Sequence, residues 1–467
     1  MQSSNKATRI ELLNFTKIPM RAFHVTWVAF FLCFFGWFGI APLMPVIRDE
    51  LKLTKEQIDN TIIASVAITI FARLFVGWFC DRAGPRIAYS LLLILGAIPV
   101  VGIGLSYNYE SFLLFRLAIG AIGASFVVTQ YHTSLMFAPN CVGTANATAA
   151  GWGNTGGGVA QATMPLLLHA FVAMGLSTFW GWRLSMIVPG IGLFFTGIAY
   201  YFLTKDTPEG NFSDLRKSEK TAGGKYGKGA FLTASKDVRV WILGMAYAGC
   251  FGVELAFHNL AALYFTDKGT FHLDLKTAGL IGGIFGGLAI FARPLGGIFS
   301  DKMGIKRGLR GRVLFLVLAL AGEGAFLALF SIATSVAAAV GALILFGLCV
   351  HMSAGATYAI IPFINKKAVG SVAGIIGAGG NMGAVAAGVL FKVKGLTYAQ
   401  ALFYMGFAVL LCAGFTFLVT FSPEDESIAR AELARAIGER LDMDMTTNNA
   451  VPVSAALPQV NSISGMA

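Results

Sequence analysis

The sequence predicts an all-α polytopic membrane protein, with twelve transmembrane helices in two pseudo-symmetric halves of six. Three observations carry that prediction. Of 467 residues, 56% are hydrophobic and only 13% are charged, whereas soluble chains are about 45–50% apolar and about 25% charged. That balance excludes disorder, a secreted disulfide scaffold and an ordinary cytosolic enzyme. Apolar runs of about 20 residues, enough to cross a bilayer core, recur along the chain. Finally, the second half of the chain repeats the first.

The runs fall near residues 25–46, 58–80, 87–107, 111–137, 144–170 and 180–203, then near 238–266, 274–300, 311–334, 337–362, 369–393 and 398–421. The first is too long for a signal-peptide core, so it is expected to stay as a membrane helix. This divides the chain into a cytoplasmic N-terminus (1–24), a six-helix half (25–203), a polar Lys/Gly-rich linker (204–237), a second half (238–422) and a tail (423–467). The tail begins as a charged amphipathic stretch and then becomes low-complexity, partly disordered by composition.

The net charge of +11 fits the Lys/Arg excess of cytoplasmic loops better than a nucleic-acid surface. Arg82, Arg86, the linker, Lys302, Lys306, Arg307, Arg310 and Arg312 then lie inside, with both termini cytoplasmic. The six cysteines are scattered singly, and no His or Cys pair has metal-ligand spacing, so neither a metal nor a cofactor is expected. No nucleophile and base stand at helical spacing either, which argues against an enzyme.

FARLFVGWFCDRAGPR (71–86) matches FARPLGGIFSDKMGIKR (291–307), and GWGNTGGGV (151–159) matches AGGNMGAVA (378–386). Parallel repeats of this kind place a transporter's site between the halves, near the bilayer midplane. The first repeat sets Arg73 and Arg293 inside apolar helices, each eight residues before a loop acid, Asp81 or Asp301. Eight residues are about 12 Å of helix, close to mid-membrane. An arginine there costs about 2.5–3.5 kcal/mol unless it faces a partner or a polar path. One reading is a pair of salt bridges, but no acid is evident at that depth to pair both. The other is an anion site, since two guanidinium forks suit a planar oxyanion.

Gly151, Gly153 and Gly156 satisfy a dinucleotide-binding pattern, yet no strand precedes them and they lie in a membrane run. The GxxxG spacings Gly153/Gly157 and Gly379/Gly383 fit close helix packing instead, giving smooth surfaces over which the halves could slide. Asn154 and Asn381 occupy equivalent places, as interhelical hydrogen bonds or as ligands of the same anion. Glu254 and His258, four apart on the seventh helix, are candidate proton carriers or a structural pair. Glu323 is expected to be structural, and Arg116 and Arg183 to snorkel from helix ends.

GWFCDRAGPR, with its weaker copy GGIFSDKMGIKR, resembles the loop motif of the major facilitator superfamily. AGWGNTGGGV (150–159) and GAGGNMGAV (377–385) resemble the paired signatures of its nitrate/nitrite porter family. The resemblance spans about residues 20–422. It implies that Arg73 and Arg293 bind nitrate or nitrite, with Asn154, Asn381, Gly153 and Gly380 beside them. Tyr247 would be the site tyrosine, with Phe126 and Phe251 sandwiching the planar anion. A first-helix aromatic is implied too, Trp37 or Phe38. Asp81, Arg82, Arg86, Asp301 and Lys302 would form the loop latches. FGVEL (251–255) is similar to the high-affinity, proton-coupled importer branch, and the compact linker to its prokaryotic members in the inner (cell) membrane. The implied function is import of nitrate, and of nitrite, by alternating access with proton symport, the protein acting as a monomer in the lipid bilayer. The alternatives are a nitrate/nitrite antiporter and a membrane nitrate sensor.

Overall fold

The computed structural model describes residues 6–215, 230–266, 271–273, 275–391, 393 and 395–449. Residues 216–229 of the linker expected over 204–237 and the low-complexity end of the tail at 450–467 lie outside them. Six long helices precede the linker among the described residues: α1 (Ile18–Phe38), α2 (Lys55–Ala83), α3 (Pro85–Gly102), α4 (Tyr109–Met136, through a tight turn at Ala121–Ala124), α5 (Val142–Ala173) and α6 (Thr178–Leu203). After it come α7 (Val238–Tyr247, continuing as Val253–Thr266), α8 and α9 (the two arms of Leu275–Ser331), α10 (Val336–Ile360), α11 (Val369–Leu390), α12 (Tyr398–Thr416) and a polar tail helix, α13 (Pro423–Asn449).

Ten helical stretches among the described residues are long and apolar enough to span a bilayer. One of them, Ile281–Ser331, supplies two crossings. At Gly308 the backbone turns to φ 69° and ψ −156°, a conformation open to glycine but costly to other residues. A Cβ on Gly311 would press on the Met303 carbonyl, so the chain has turned back there. The 32 residues of α5, rich in glycine and polar groups, complete the twelve. Helix starts are written locally: Thr54, Asn108 and Thr397 each form a reciprocal capping box with the residue three positions on, satisfying donors the first turn leaves open. α1 begins at Ile18, earlier than the apolar run suggested, because residues ahead of it are pinned to the α4–α5 loop by Ala7 N–H to the Met136 carbonyl at 3.0 Å.

The halves meet where α2 packs on α11 and α5 on α8 and α10. Glycine makes those crossings possible. A Cβ at Gly77 would lie 2.5 Å from the Gly370 carbonyl, and one at Gly374 2.7 Å from the Arg73 carbonyl; across the other crossing, one at Gly151 would lie 2.8 Å from the Ala289 carbonyl. The GxxxG pairs have a different role from the one expected. Gly153 and Gly157 seat Phe30 and Phe38 of α1, while Gly379 and Gly383 seat the backbone of α7 at Gly244 and Ala248. They pack each half internally, and other glycines line the surface between halves.

Candidate functional site: a buried arginine pair and the loop acids that join the halves

Arg73 on α2 and Arg293 on α8 are both buried, at 0% and 1% exposure. Their guanidinium carbons lie over the same ring, Phe251, at 5.1 and 5.8 Å from its centroid. Arg73 also covers Phe126 at 5.5 Å. Phe126 lies parallel to Tyr247 and Phe251 (centroids 5.8 and 6.1 Å), and those two stack on each other at 5.1 Å. The stack depends on a local irregularity. Between Tyr247 and Val253, α7 widens into a single π-type turn, Ala248–Gly252, of the kind that concentrates at functional sites. Gly380 of α11 leaves room for it: a Cβ there would sit 2.7 Å from Tyr247 and 2.8 Å from Phe251.

The two arginines are dressed differently. Arg73 meets only neutral acceptors, donating from Nη1 to the Gly377 carbonyl at 2.5 Å and from Nε to the Gly123 carbonyl at 3.4 Å. Its Nη2 has no partner among the described residues. Arg293 forms a buried ion pair from Nη2 to Glu254, an acid at the arginine's own depth. The salt-bridge reading therefore holds for one arginine and fails for the other. The Asn154 amide faces the Arg293 guanidinium, which can only donate. The end facing it is therefore the oxygen, accepting from Nη2 at 2.8 Å and from Nη1. Arg293 Nε and the buried Tyr247 hydroxyl also find no partner among the described residues. One aromatic cluster thus holds three buried donors with nothing to donate to.

Other predicted residues divide. Asn381 donates to the Val66 carbonyl of α2 at 3.2 Å, and its buried side-chain oxygen has no partner among the described residues. His258 is exposed, its ring edge-on to Phe285 at 5.2 Å. The first-helix aromatic that reaches Phe126 is Phe30, at 5.4 Å. Trp37 instead donates to Ser65 Oγ at 2.8 Å, and Phe38 packs on Gly157. Tyr358 of α10, not foreseen, closes the stack edge-on to Phe126 at 4.6 Å. Arg183 does not snorkel: it is buried, pairs with Glu50 at 2.6 Å and donates to the Gly104 and Ser106 carbonyls. Arg116, also buried, donates to the Trp37 carbonyl at 3.3 Å.

At the end of the bundle that carries the two loop motifs, each half's loop acid caps a helix of the other half. Asp81 accepts from the Gly370 and Ser371 amides at 2.9 and 2.7 Å, at the start of α11. Asp301 accepts from the Gly143 and Thr144 amides at 3.1 and 2.6 Å, at the start of α5. A carboxylate at a helix N-terminus satisfies open donors and meets the positive end of the dipole, so the pair ties the two halves together at this end. The basic residues differ from expectation. The cation on Asp301 is Arg312 of α9, at 2.6 Å, while Lys302 is exposed. Arg86 stays within its half, its amide donating to Asp206 at 2.8 Å, and Arg82 lies over Trp78.

The profile of the Major Facilitator Superfamily matches residues 26–387. A high affinity nitrate transporter of Arabidopsis thaliana is 38% identical over 416 residues, covering 88% of this chain and 82% of its own. The chain belongs to the nitrate/nitrite porter family of that superfamily. Family relatives include a nitrate transporter of Oryza sativa at 37% identity (90% and 81% covered) and a nitrate/nitrite transporter of Nostoc punctiforme at 30% (84% and 90% covered). Among solved structures, a proton:xylose symporter superposes with a TM-score of 0.64 at 15% identity, covering 86% of this chain and 95% of its own, which speaks to fold alone.

Proposed function

We infer that this protein is a secondary active transporter that imports nitrate, and nitrite, through a membrane by alternating access with proton symport. The observation that carries this is the set of unpartnered buried donors, Arg73 Nη2, Arg293 Nε and Tyr247 OH, in one aromatic cluster between the halves. Leaving buried donors unpaired costs about 1–3 kcal/mol each, and a bound planar oxyanion would satisfy them. Phe126 and Phe251 offer flat faces for such an ion, and Asn154 holds Arg293 in place. The names of the family relatives agree on nitrate. Charge in the loops supports cytoplasmic termini, and the compact linker supports a bacterial inner membrane, with the monomer as the working unit.

Proteoliposomes test the reading. Labelled nitrate should enter saturably down an imposed inward proton gradient with no anion inside, and nitrite should compete. A strict requirement for internal nitrite would make the protein an antiporter; nitrate binding without flux would make it a sensor.

A further inference from the structure

Beside the arginine pair stands a histidine with one nitrogen unsatisfied. His351 of α10 is fully buried. Its Nε2 lies 3.1 Å from the Phe285 carbonyl of α8, which can only accept, so Nε2 carries a hydrogen. Nδ1 then faces Glu254 Oε2 at 3.7 Å and has no hydrogen-bond partner among the described residues. In the neutral ring a lone pair is aimed at a carboxylate. One proton on Nδ1 turns that repulsion into a charge-assisted contact. We propose that His351 and Glu254 together hold the coupling proton, and that loading it loosens Glu254 from Arg293 so that the guanidinium can take the anion.

The charge balance supports one proton per nitrate. The empty site holds Arg73 and Arg293 against Glu254, one net positive charge. Nitrate alone would cancel it, and a proton on the histidine–glutamate pair restores it. The empty and doubly loaded forms then present the same buried charge during reorientation, whereas the singly loaded form does not. Other groups face the pair: His258 and Cys250 from α7, Arg293 from α8 and Glu323 from α9, the last accepting from Ser353 Oγ at 2.7 Å. A fixed charge on Glu323 would enter both loaded and empty forms and leave the comparison unchanged. His258 is exposed on α7, a position that suits it to deliver a proton and not to store one.

This rests on the nitrate reading, and the experiment separates the two. Purified protein in weakly buffered detergent is mixed with nitrate while a pH indicator follows the solution. Wild type should take up about one proton per nitrate bound, its Kd rising up to about tenfold per pH unit above the pair's pKa, as linkage requires. His351→Gln, which keeps a donor for Phe285, should bind nitrate only as weakly as wild type does well above the pair's pKa, with no proton uptake and a flat pH profile. In proteoliposomes it should lose gradient-driven accumulation at least about tenfold. Unchanged proton uptake in His351→Gln, or none in wild type, overturns the proposal. Should His351→Gln fail to fold, the wild-type stoichiometry and its loss in Glu254→Gln decide. Wild type that neither binds nor exchanges nitrate sinks the transport reading itself.

Discussion

Arg73 and Arg293 come from one repeated FAR element at equivalent depth in the two halves, yet their surroundings are unlike. Arg73 is held by two carbonyls and leaves Nη2 open among the described residues. Arg293 is neutralised by Glu254 and braced by Asn154. The repeat supplied two cations, and on our proposal their unlike surroundings in α5, α7 and α10 leave one permanent and make the other conditional. A symmetric pair would bind an anion equally well in every state. An asymmetric pair lets a second event, at Glu254, decide when the anion is held.

The largest expected effect is at the permanent cation. Arg73→Lys keeps the charge but loses the planar fork, and saturable nitrate uptake should fall at least about a hundredfold with the protein still inserted in the membrane. Arg293→Lys should abolish uptake as well. Near-wild-type affinity in either variant would remove that arginine from the site. Next comes the conditional partner. Glu254→Gln frees Arg293, so nitrate Kd measured in detergent should fall about tenfold while gradient-driven accumulation is lost. A weakened Kd would mean that Glu254 only positions Arg293.

The latches offer a second asymmetry. Asp301 carries, besides its two amide contacts, an ion pair to Arg312 of its own half, and Arg312 in turn donates to the Pro139 carbonyl of the first half at 2.7 Å, so losing Asp301 also releases that crossing contact. Asp301→Asn should therefore open the cytoplasmic face more than Asp81→Asn. The readout is labelling of a cysteine placed near Gly370 by an impermeant thiol reagent from the cytoplasmic side. The order reversed would assign the main latch to the first half. The smallest effect belongs to packing. Gly374→Ala pushes a Cβ onto the Arg73 carbonyl and should cost about 1–3 kcal/mol, seen as a lowered melting temperature. Gly158→Ala, with open space around it, should melt like wild type.

The fold was legible because each of its determinants is local or repeated. Apolar runs mark most crossings, and the glycine- and asparagine-rich α5, weak by hydropathy, is recognisable through its copy in α11. The arginines were legible for the same reason, as charges where the run allows none. Their partners were not. Glu254 lies 39 positions from Arg293, and nothing in its own helix tells which neighbour it meets or at what depth. His351 has no copy and no motif. Phe30 is one of 39 phenylalanines, chosen by the tilt of α1 against Gly153. Arg312 reaches Asp301 only because the chain turns at Gly308, and that same turn is capped from α13 by Glu426, which accepts from the Leu309 and Arg310 amides at 3.1 and 3.0 Å. Periodicity fixes which face a side chain occupies, but contacts between helices depend on tilt and rotation.

One flux measurement bears on all of this most directly. Vesicles containing the purified protein and no internal anion are given labelled nitrate and an inward proton gradient. The account predicts saturable, uncoupler-sensitive accumulation in wild type and none in Arg73→Lys or Arg293→Lys. Accumulation by the lysine variants, or uptake in wild type only when nitrite is supplied inside, would contradict it.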